Sequence, residues 1–215
     1  MPARALVVLS GCGNRDGSEI HETVCALLAL RQSGYEAVFA APDVEQAGTV
    51  NHLTGAAAAP RRAIEEAARM ARGRIRPLDS LQSRDFDLVV FPGGMGAATT
   101  LCRIAEDGSS AWVEPSVAAL VAGAREAGRP IGAMCIAPMI LAACMPGVTV
   151  TLGPECGDAA RARALGARTV ECAASDAVAD PLFRVVTTPA YMAAKGIEEV
   201  YLGAARMVEE LGAFL

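Results

Sequence analysis

Few side chains in this sequence can act as nucleophiles: seven cysteines, two histidines and one lysine. Cys135 stands out by its setting, GAMCIAPMIL, residues 132–141. A strand that turns sharply into a helix, with a nucleophile at the apex, needs small residues two places to either side, where larger side chains would collide. Ala133 and Ala137 occupy those places, and Gly132 lies one residue earlier. Such a thiol sits at a helix N-terminus, where unpaired N–H groups and the helix dipole favour thiolate, so its pKa is expected to fall. The N–H of Ile136 would face the same pocket and serve an oxyanion. The competing reading is a buried apolar cysteine in a core strand, and the local sequence leaves both open. Cys12, in SGCG, is the best rival because it also follows a strand-like run, but no base is marked beside it. Cys25 and Cys144 fall within helical patterns and read as packing residues, while Cys102, Cys156 and Cys172 carry no local signal. Lys195 is the only lysine, hence the only Schiff-base candidate.

The stretch VVFPGGMGAA is a second element of the same kind. Adjacent glycines after a strand let backbone approach a ligand and offer N–H groups to an anion, and Gly94 is the natural second oxyanion donor. An ordinary glycine-rich connection is the alternative. A proton-transfer group is still needed. Glu19 and Glu22 both lie in the first turns of a helix after the first strand. Asp16-Gly17-Ser18-Glu19 has the form of a capping box, which occupies Glu19. Glu22 has no such task and can lean back over the strand ends, yet spacing favours a solvated surface glutamate. His52, with Asn51 in a long loop, is a pocket candidate, or a loop histidine bonded to backbone. No histidine follows Cys135, which argues against glutamine hydrolysis and peptidase chemistry, where an amine leaving group must be protonated. No spacing fits a zinc site, and no metal or cofactor is expected. Gly11-x-Gly13 with Asp43 weakly resembles a dinucleotide fingerprint, but Asp16 stands where the third glycine belongs.

These residues need a framework, and the pattern supplies one. Strand-like runs at Ala5–Leu9, Ala37–Ala41, Asp87–Phe91, Pro130–Met134, Thr149–Leu152 and Arg184–Thr187 alternate with helical stretches at Ser18–Ser33, Pro60–Arg72, Ser116–Ala127, Ala137–Cys144, Asp158–Leu165 and Ile197–Leu211. In the first helix, Ile20, Val24, Leu27 and Leu28 form the apolar face, with Gly34 as C-cap. Alternation of this kind predicts an α/β fold, a flavodoxin-like three-layer sandwich around a mostly parallel sheet. Ligands then bind at the carboxyl ends of the strands, in the loops after Ser10, Ala41, Phe91 and Met134. With 215 residues and no linker or repeat, one domain over 1–215 is expected.

Composition excludes other classes. The formal charge is −5, from 19 basic and 24 acidic residues without a basic block, so nucleic-acid and membrane-surface partners are not expected. No apolar run is long enough to span a bilayer. The N-terminal MPARALVVLS is too short for an export signal and the cysteines form no C-x-x-C pair, which predicts free thiols in a reducing cytoplasm.

Taken in order, SGCGNRDGSEIHETV, APDVEQAGTVNHLTG, FPGGMGAA, GAMCIAP and VTTPAYM resemble the ElbB family. That family belongs to the PfpI-like, amidotransferase-like superfamily and is sometimes labelled as isoprenoid-biosynthesis proteins. The likeness runs from about Leu6 to Leu211. It implies a flavodoxin-like dimer whose nucleophile-elbow cysteine maps onto Cys135. It also implies a glutamate early in the first helix, in hydrogen-bond contact with that thiol, which maps onto Glu22. The implied activity is cofactor-independent glyoxalase chemistry, in which a small reactive aldehyde, glyoxal, becomes glycolate. A redox- or stress-sensing dimer built on the same cysteine is the alternative.

Overall fold

The computed structural model describes residues 3–105 and 108–215. Its strands, in chain order, are β1 (Arg4–Val8), β2 (Glu36–Ala41), β3 (Ile75–Pro77), β4 (Leu88–Phe91), β5 (Cys102–Ile104), β6 (Ala111–Val113), β7 (Ile131–Met134), β8 (Thr149–Val150), β9 (Arg168–Thr169), β10 (Val178–Asp180) and β11 (Val185–Thr188). Its helices are α1 (Ile20–Gln32), α2 (Ala63–Ala67), α3 (Met95–Thr99), α4 (Pro115–Glu126), α5 (Pro138–Cys144), α6 (Gly157–Ala164) and α7 (Ile197–Gly212).

Seven strands form the central sheet, in the order β10-β11-β7-β4-β1-β2-β3. All neighbours are parallel except β10, which pairs antiparallel with β11. The chain builds outward from β1 to β2 and β3, then crosses to β4 and builds the other way. The carboxyl ends of β1 and β4 therefore flank a topological switch point, with β7 next to it, where ligands bind in this architecture. The strands are apolar on both faces because helices cover both sides. In β4, Val89 and Phe91 enter one core with Leu101, Leu120, Ile140 and Leu141. Leu88 and Val90 enter the other, with Leu30, Met207 and Leu211.

The predicted α/β sandwich is the observed one. Several local readings differ. The helix expected over Pro60–Arg72 is only the five-residue α2 followed by turns. Thr149–Leu152 contributes β8 to a separate two-stranded pair with β9 rather than to the central sheet. The short β3 and the β5–β6 hairpin lack a period long enough to read. The orientation of α1 is also reversed. Ile20, Val24 and Leu28 are 43–52% exposed, whereas Glu22, Thr23, Cys25, Ala26, Ala29 and Leu30 are buried. The small residues Ala26 and Ala29 face inward because α7 packs against α1, and a helix pair backed by a sheet leaves little depth for large side chains.

Gly203 of α7 marks how tight this layer is. A Cβ there would collide with the backbone carbonyl of Ala174 and the hydroxyl of Thr188. In an exposed helix, Gly→Ala stabilises by about 1 kcal/mol. Overpacking against backbone costs about 1–3 kcal/mol, and here it should win. Gly203→Ala is expected to lower the urea midpoint with an unchanged m-value, in equilibrium denaturation followed by circular dichroism.

Candidate active site

Cys135 follows β7 directly and has φ +58°, a left-handed conformation that costs a non-glycine residue roughly 1–2 kcal/mol. Backbone bonds hold it there. The Cys135 N–H donates to the Thr188 carbonyl at 3.0 Å, and the Ala137 N–H donates to the Met134 carbonyl at 2.9 Å. The thiol is half-buried at the floor of a cavity of about 540 Å³, which Glu22, Gly94, Ile136, His21 and Tyr191 also line. The backbone N–H groups of Gly94 and Ile136 both lie near enough to the sulfur to favour its thiolate, so the two donors read from sequence flank one atom.

Glu22 is fully buried, which overturns the surface reading that spacing favoured. Its Oε2 accepts from the Gly93 N–H at 2.9 Å, its Oε1 accepts from the Tyr191 N–H at 3.2 Å, and the carboxyl is hydrogen-bonded to the Cys135 thiol. Gly93 is a glycine for a reason that its sequence context does not display. A Cβ there would strike both the Cys135 Cβ and Glu22 Oε2. The neighbouring Gly94, at φ +94°, is packed against the backbone of Gly17 and Glu19. The Glu19 N–H donates to the Gly93 carbonyl at 2.9 Å, and the Gly96 N–H to the Gly17 carbonyl at 3.0 Å. The glycine-rich segment after β1 is thus a backbone mould around the Gly93–Gly94 turn, not a phosphate cradle.

The capping box takes another form. Glu19 is itself the N-cap of α1 and accepts from the Glu22 N–H at 2.7 Å. Asp16 instead accepts from the Val50 N–H and pairs with Arg61, while the Ser18 hydroxyl meets Ser10. Asp16 therefore staples the loop after β1 to the loop after β2.

Three predicted pocket residues lie outside the cavity. The His52 ring covers Gly13, where a Cβ would meet it. Its Nε2 accepts from the Arg15 N–H at 3.4 Å and lies 3.8 Å from Asp16. Asn51 turns its own loop by accepting from the Leu53 and Thr54 N–H groups. Cys12 is half-buried with Glu66, Arg69 and Asp16 as its charged neighbours. Lys195 is exposed and does not line the cavity. Conversely, sequence reasoning missed His21 and Tyr191. The His21 Nδ1 and the Tyr191 hydroxyl are 2.7 Å apart. The signal was present in the strings EIHE and PAYM, but nothing in either relates them across 170 residues. Among the described residues, no group of three His, Cys, Asp or Glu side chains is placed to hold a metal ion, and no helix is long and apolar enough to cross a membrane.

The electrostatics reverse one expectation. The Cys135 thiol is pushed well above the usual thiol range by burial first, then by the Glu22 carboxylate; the N–H groups of Gly94 and Ile136 only partly oppose this. Desolvation and a like-charged neighbour outweigh what the backbone donors at the turn into α5 offer the thiolate. Burial likewise lifts the Glu22 carboxyl to about 7, against the hydrogen bonds from Cys135, Tyr191 and Gly93. The fold thus favours the protonated carboxyl. The stabilisation is complete below the unfolded value near 4.5 and is lost as pH rises through about 7. Over that window it amounts to about 3 kcal/mol. Glu22→Gln should therefore flatten the fall in unfolding free energy between pH 4.5 and pH 8 by a comparable amount. Urea titrations of both proteins across that range test it, and the comparison of slopes cancels any constant cost of the amide.

A family model described as the DJ-1/PfpI family matches residues 6–194. The human protein named glutamine amidotransferase-like class 1 domain-containing protein 3, mitochondrial, is 38% identical over 220 residues, covering 97% of this chain and 82% of its own length. The crystal structure of an isoprenoid biosynthesis protein with an amidotransferase-like domain, from Ehrlichia chaffeensis, superposes with a TM-score of 0.91 at 30% identity, covering 99% of both chains. Glyoxalase III from Candida albicans shares the fold, with a TM-score of 0.61 at 15% identity over 99% of this chain and 97% of that one. The sheet order, the elbow at Cys135 and these matches agree: the chain belongs to the DJ-1/PfpI family.

Proposed function

We propose that this chain is an ElbB-type, cofactor-independent glyoxalase that converts glyoxal or a related 2-oxoaldehyde, with water, to a 2-hydroxy acid. The observation that carries the reading is the arrangement around one sulfur: the Glu22 carboxyl and the Gly94 and Ile136 N–H groups all meet Cys135 at the floor of an open cavity. The thiol and carboxyl behave as a pair that gives up its first proton near neutral pH. As the sulfur adds to one aldehyde carbon, the thiol proton passes to Glu22. The new oxyanion rests on the N–H groups of Gly94 and Ile136, and Glu22 returns the proton to it. Glu22 then takes the proton from that carbon and delivers one to the second carbon through an enediol, while the hydroxyl proton passes from the first oxygen to the second. The product of this internal redox step is a hydroxyacyl thioester on Cys135. Water cleaves it to the hydroxy acid and restores the thiol. An aldehyde suits this site because addition expels no amine, so no third group is needed to protonate one.

The seven free cysteines support a reducing compartment. A homodimer is part of the same reading, with α1 contributing the exposed stripe Ile20, Val24 and Leu28 to a two-fold contact. If so, Val24→Glu should shift the sedimentation coefficient from dimer to monomer at micromolar concentration. A wild-type monomer would remove this part of the proposal.

For the chemistry, Cys135→Ala is expected to abolish glyoxal turnover. The wild-type kcat/KM should rise with pH through about 7, as the pair loses its first proton. In Glu22→Gln that limb should vanish, with turnover lower by about 10²- to 10⁴-fold. Full turnover by Cys135→Ala would sink the scheme. Negligible wild-type turnover, together with selective oxidation of Cys135 by mild peroxide, would mark a redox sensor instead.

A further inference from the structure

The reaction proposed above leaves one step without a base. Hydrolysis of the thioester requires a water to lose a proton as it attacks the carbonyl carbon, and the departing sulfur to gain one as the C–S bond breaks. Glu22 is fully buried, both its oxygens are held by backbone N–H groups, and it contacts the sulfur itself. It is placed to reprotonate Cys135. A water attacking from the cavity needs a different group on the open side.

His21 is that group's only imidazole candidate. It lines the same cavity as Cys135 and is exposed to solvent. Its Nδ1 lies 2.7 Å from the Tyr191 hydroxyl, and the two rings are tilted at 51° with centroids 5.8 Å apart. This leaves Nε2 as the ring nitrogen without a protein partner among the described residues. When Nδ1–H donates to the tyrosine oxygen, Nε2 carries a bare lone pair and is a base. Tyr191 is tied to the other half of the site as well, because its backbone N–H donates to Glu22 Oε1 at 3.2 Å. Burial also keeps its phenol protonated, so it remains a hydrogen-bonding hydroxyl.

We propose that His21, oriented by the Tyr191 hydroxyl, is the general base of the hydrolytic half-reaction. The inference rests on the glyoxalase reading. Nε2 takes one proton from water as its oxygen bonds to the thioester carbon. The C–S bond breaks and its electron pair stays on sulfur; Glu22, a carboxylate again after the isomerisation, takes a proton from solvent and passes it to the sulfur to restore the thiol. The hydroxy acid leaves, and the imidazolium passes its proton to solvent. No electrons enter or leave.

The test separates the two halves of the reaction. The hemithioacetal and the thioester have equal mass, so mass alone does not resolve them. Hydroxylamine does, because only the thioester gives a hydroxamate. In His21→Gln, single-turnover consumption of glyoxal should stay near the wild-type rate while steady-state turnover falls by about 10²- to 10⁴-fold. A hydroxylamine-trappable acyl group should accumulate on Cys135. Imidazole added to His21→Ala should restore turnover. Tyr191→Phe keeps the N–H to Glu22 and should slow the same step by a smaller factor. Unchanged turnover in His21→Gln, or a loss without trappable thioester, would overturn this inference alone. A purely positioning role would slow the single-turnover phase and would not respond to imidazole. Wild-type protein inert toward both glyoxal and methylglyoxal would overturn the glyoxalase reading and this inference together.

Discussion

Glu22 is a carboxyl removed from water, and burying a carboxylate without partners costs several kcal/mol. Here it is satisfied by the Gly93 N–H, the Tyr191 N–H and the Cys135 thiol. Each partner comes from a different place: the turn after β4, the one-turn helix Ala190–Met192 after β11, and the elbow after β7. None of these contacts forms unless the three strands lie side by side in register, with α1 resting over their carboxyl ends. A single buried group thereby makes the site depend on the whole central sheet. It also works in reverse, since a misplaced α1 would leave two backbone donors and a thiol without an acceptor.

The same constraint explains the residues with unusual backbones. Cys135 is held at positive φ because its sulfur must leave the line of β7 and turn toward Glu22. The Thr188 carbonyl, from the neighbouring strand β11, fixes the turn. Gly93 lacks a Cβ because that volume is already filled by the cysteine and the carboxyl. Gly94 then adopts a conformation only glycine takes freely, which aims its N–H at the sulfur. The mould around this turn comes from the segment after β1, whose own shape is held by Asp16, Arg61 and His52. Residues that look reactive by composition, Cys12 and His52 among them, are thus employed in holding the loop that holds the turn.

The sandwich was legible from the alternation of elements, and the elbow at Cys135 and the glycine pair at Gly93–Gly94 were legible as one of two open readings, because each rests on local spacing. Strand-turn-helix with small flanking residues is a short-range pattern, as is a glycine pair closing a strand. Two other features were not legible from spacing, for the same physical reason. The apolar stripe of α1 predicts burial of Ile20 and Val24, but α7 selects the opposite face, where alanines allow close approach. That choice is tertiary, and it carries Glu22 into the core. The resemblance to a family with a glutamate beside the thiol corrected the position without supplying the cause. The pairing of His21 with Tyr191 joins residues 170 positions apart and leaves no periodic trace. The expected fall in the thiol pKa failed on magnitude: the turn's N–H groups were weighed without the burial of the sulfur and, after it, the carboxyl next to it.

Placing a carboxyl rather than an imidazole against the thiol changes what the sulfur can do. A neutral thiol–imidazole pair becomes a thiolate–imidazolium pair by internal proton transfer, with no net charge created in the site. A thiol–carboxylate pair already carries one negative charge, which burial and mutual repulsion confine to a single proton equilibrium near neutrality. On the proposed reading, that single charge passes into the oxyanion at the moment of addition. Two N–H donors wait for it at the sulfur, so the site's net charge stays constant while its position moves by one bond length or two. Such a site needs a substrate whose electrophilic carbon accepts sulfur without expelling a poor leaving group, and an aldehyde does this. The need for a separate base then arises only once water must be activated on the open side, where the sequence provides one histidine.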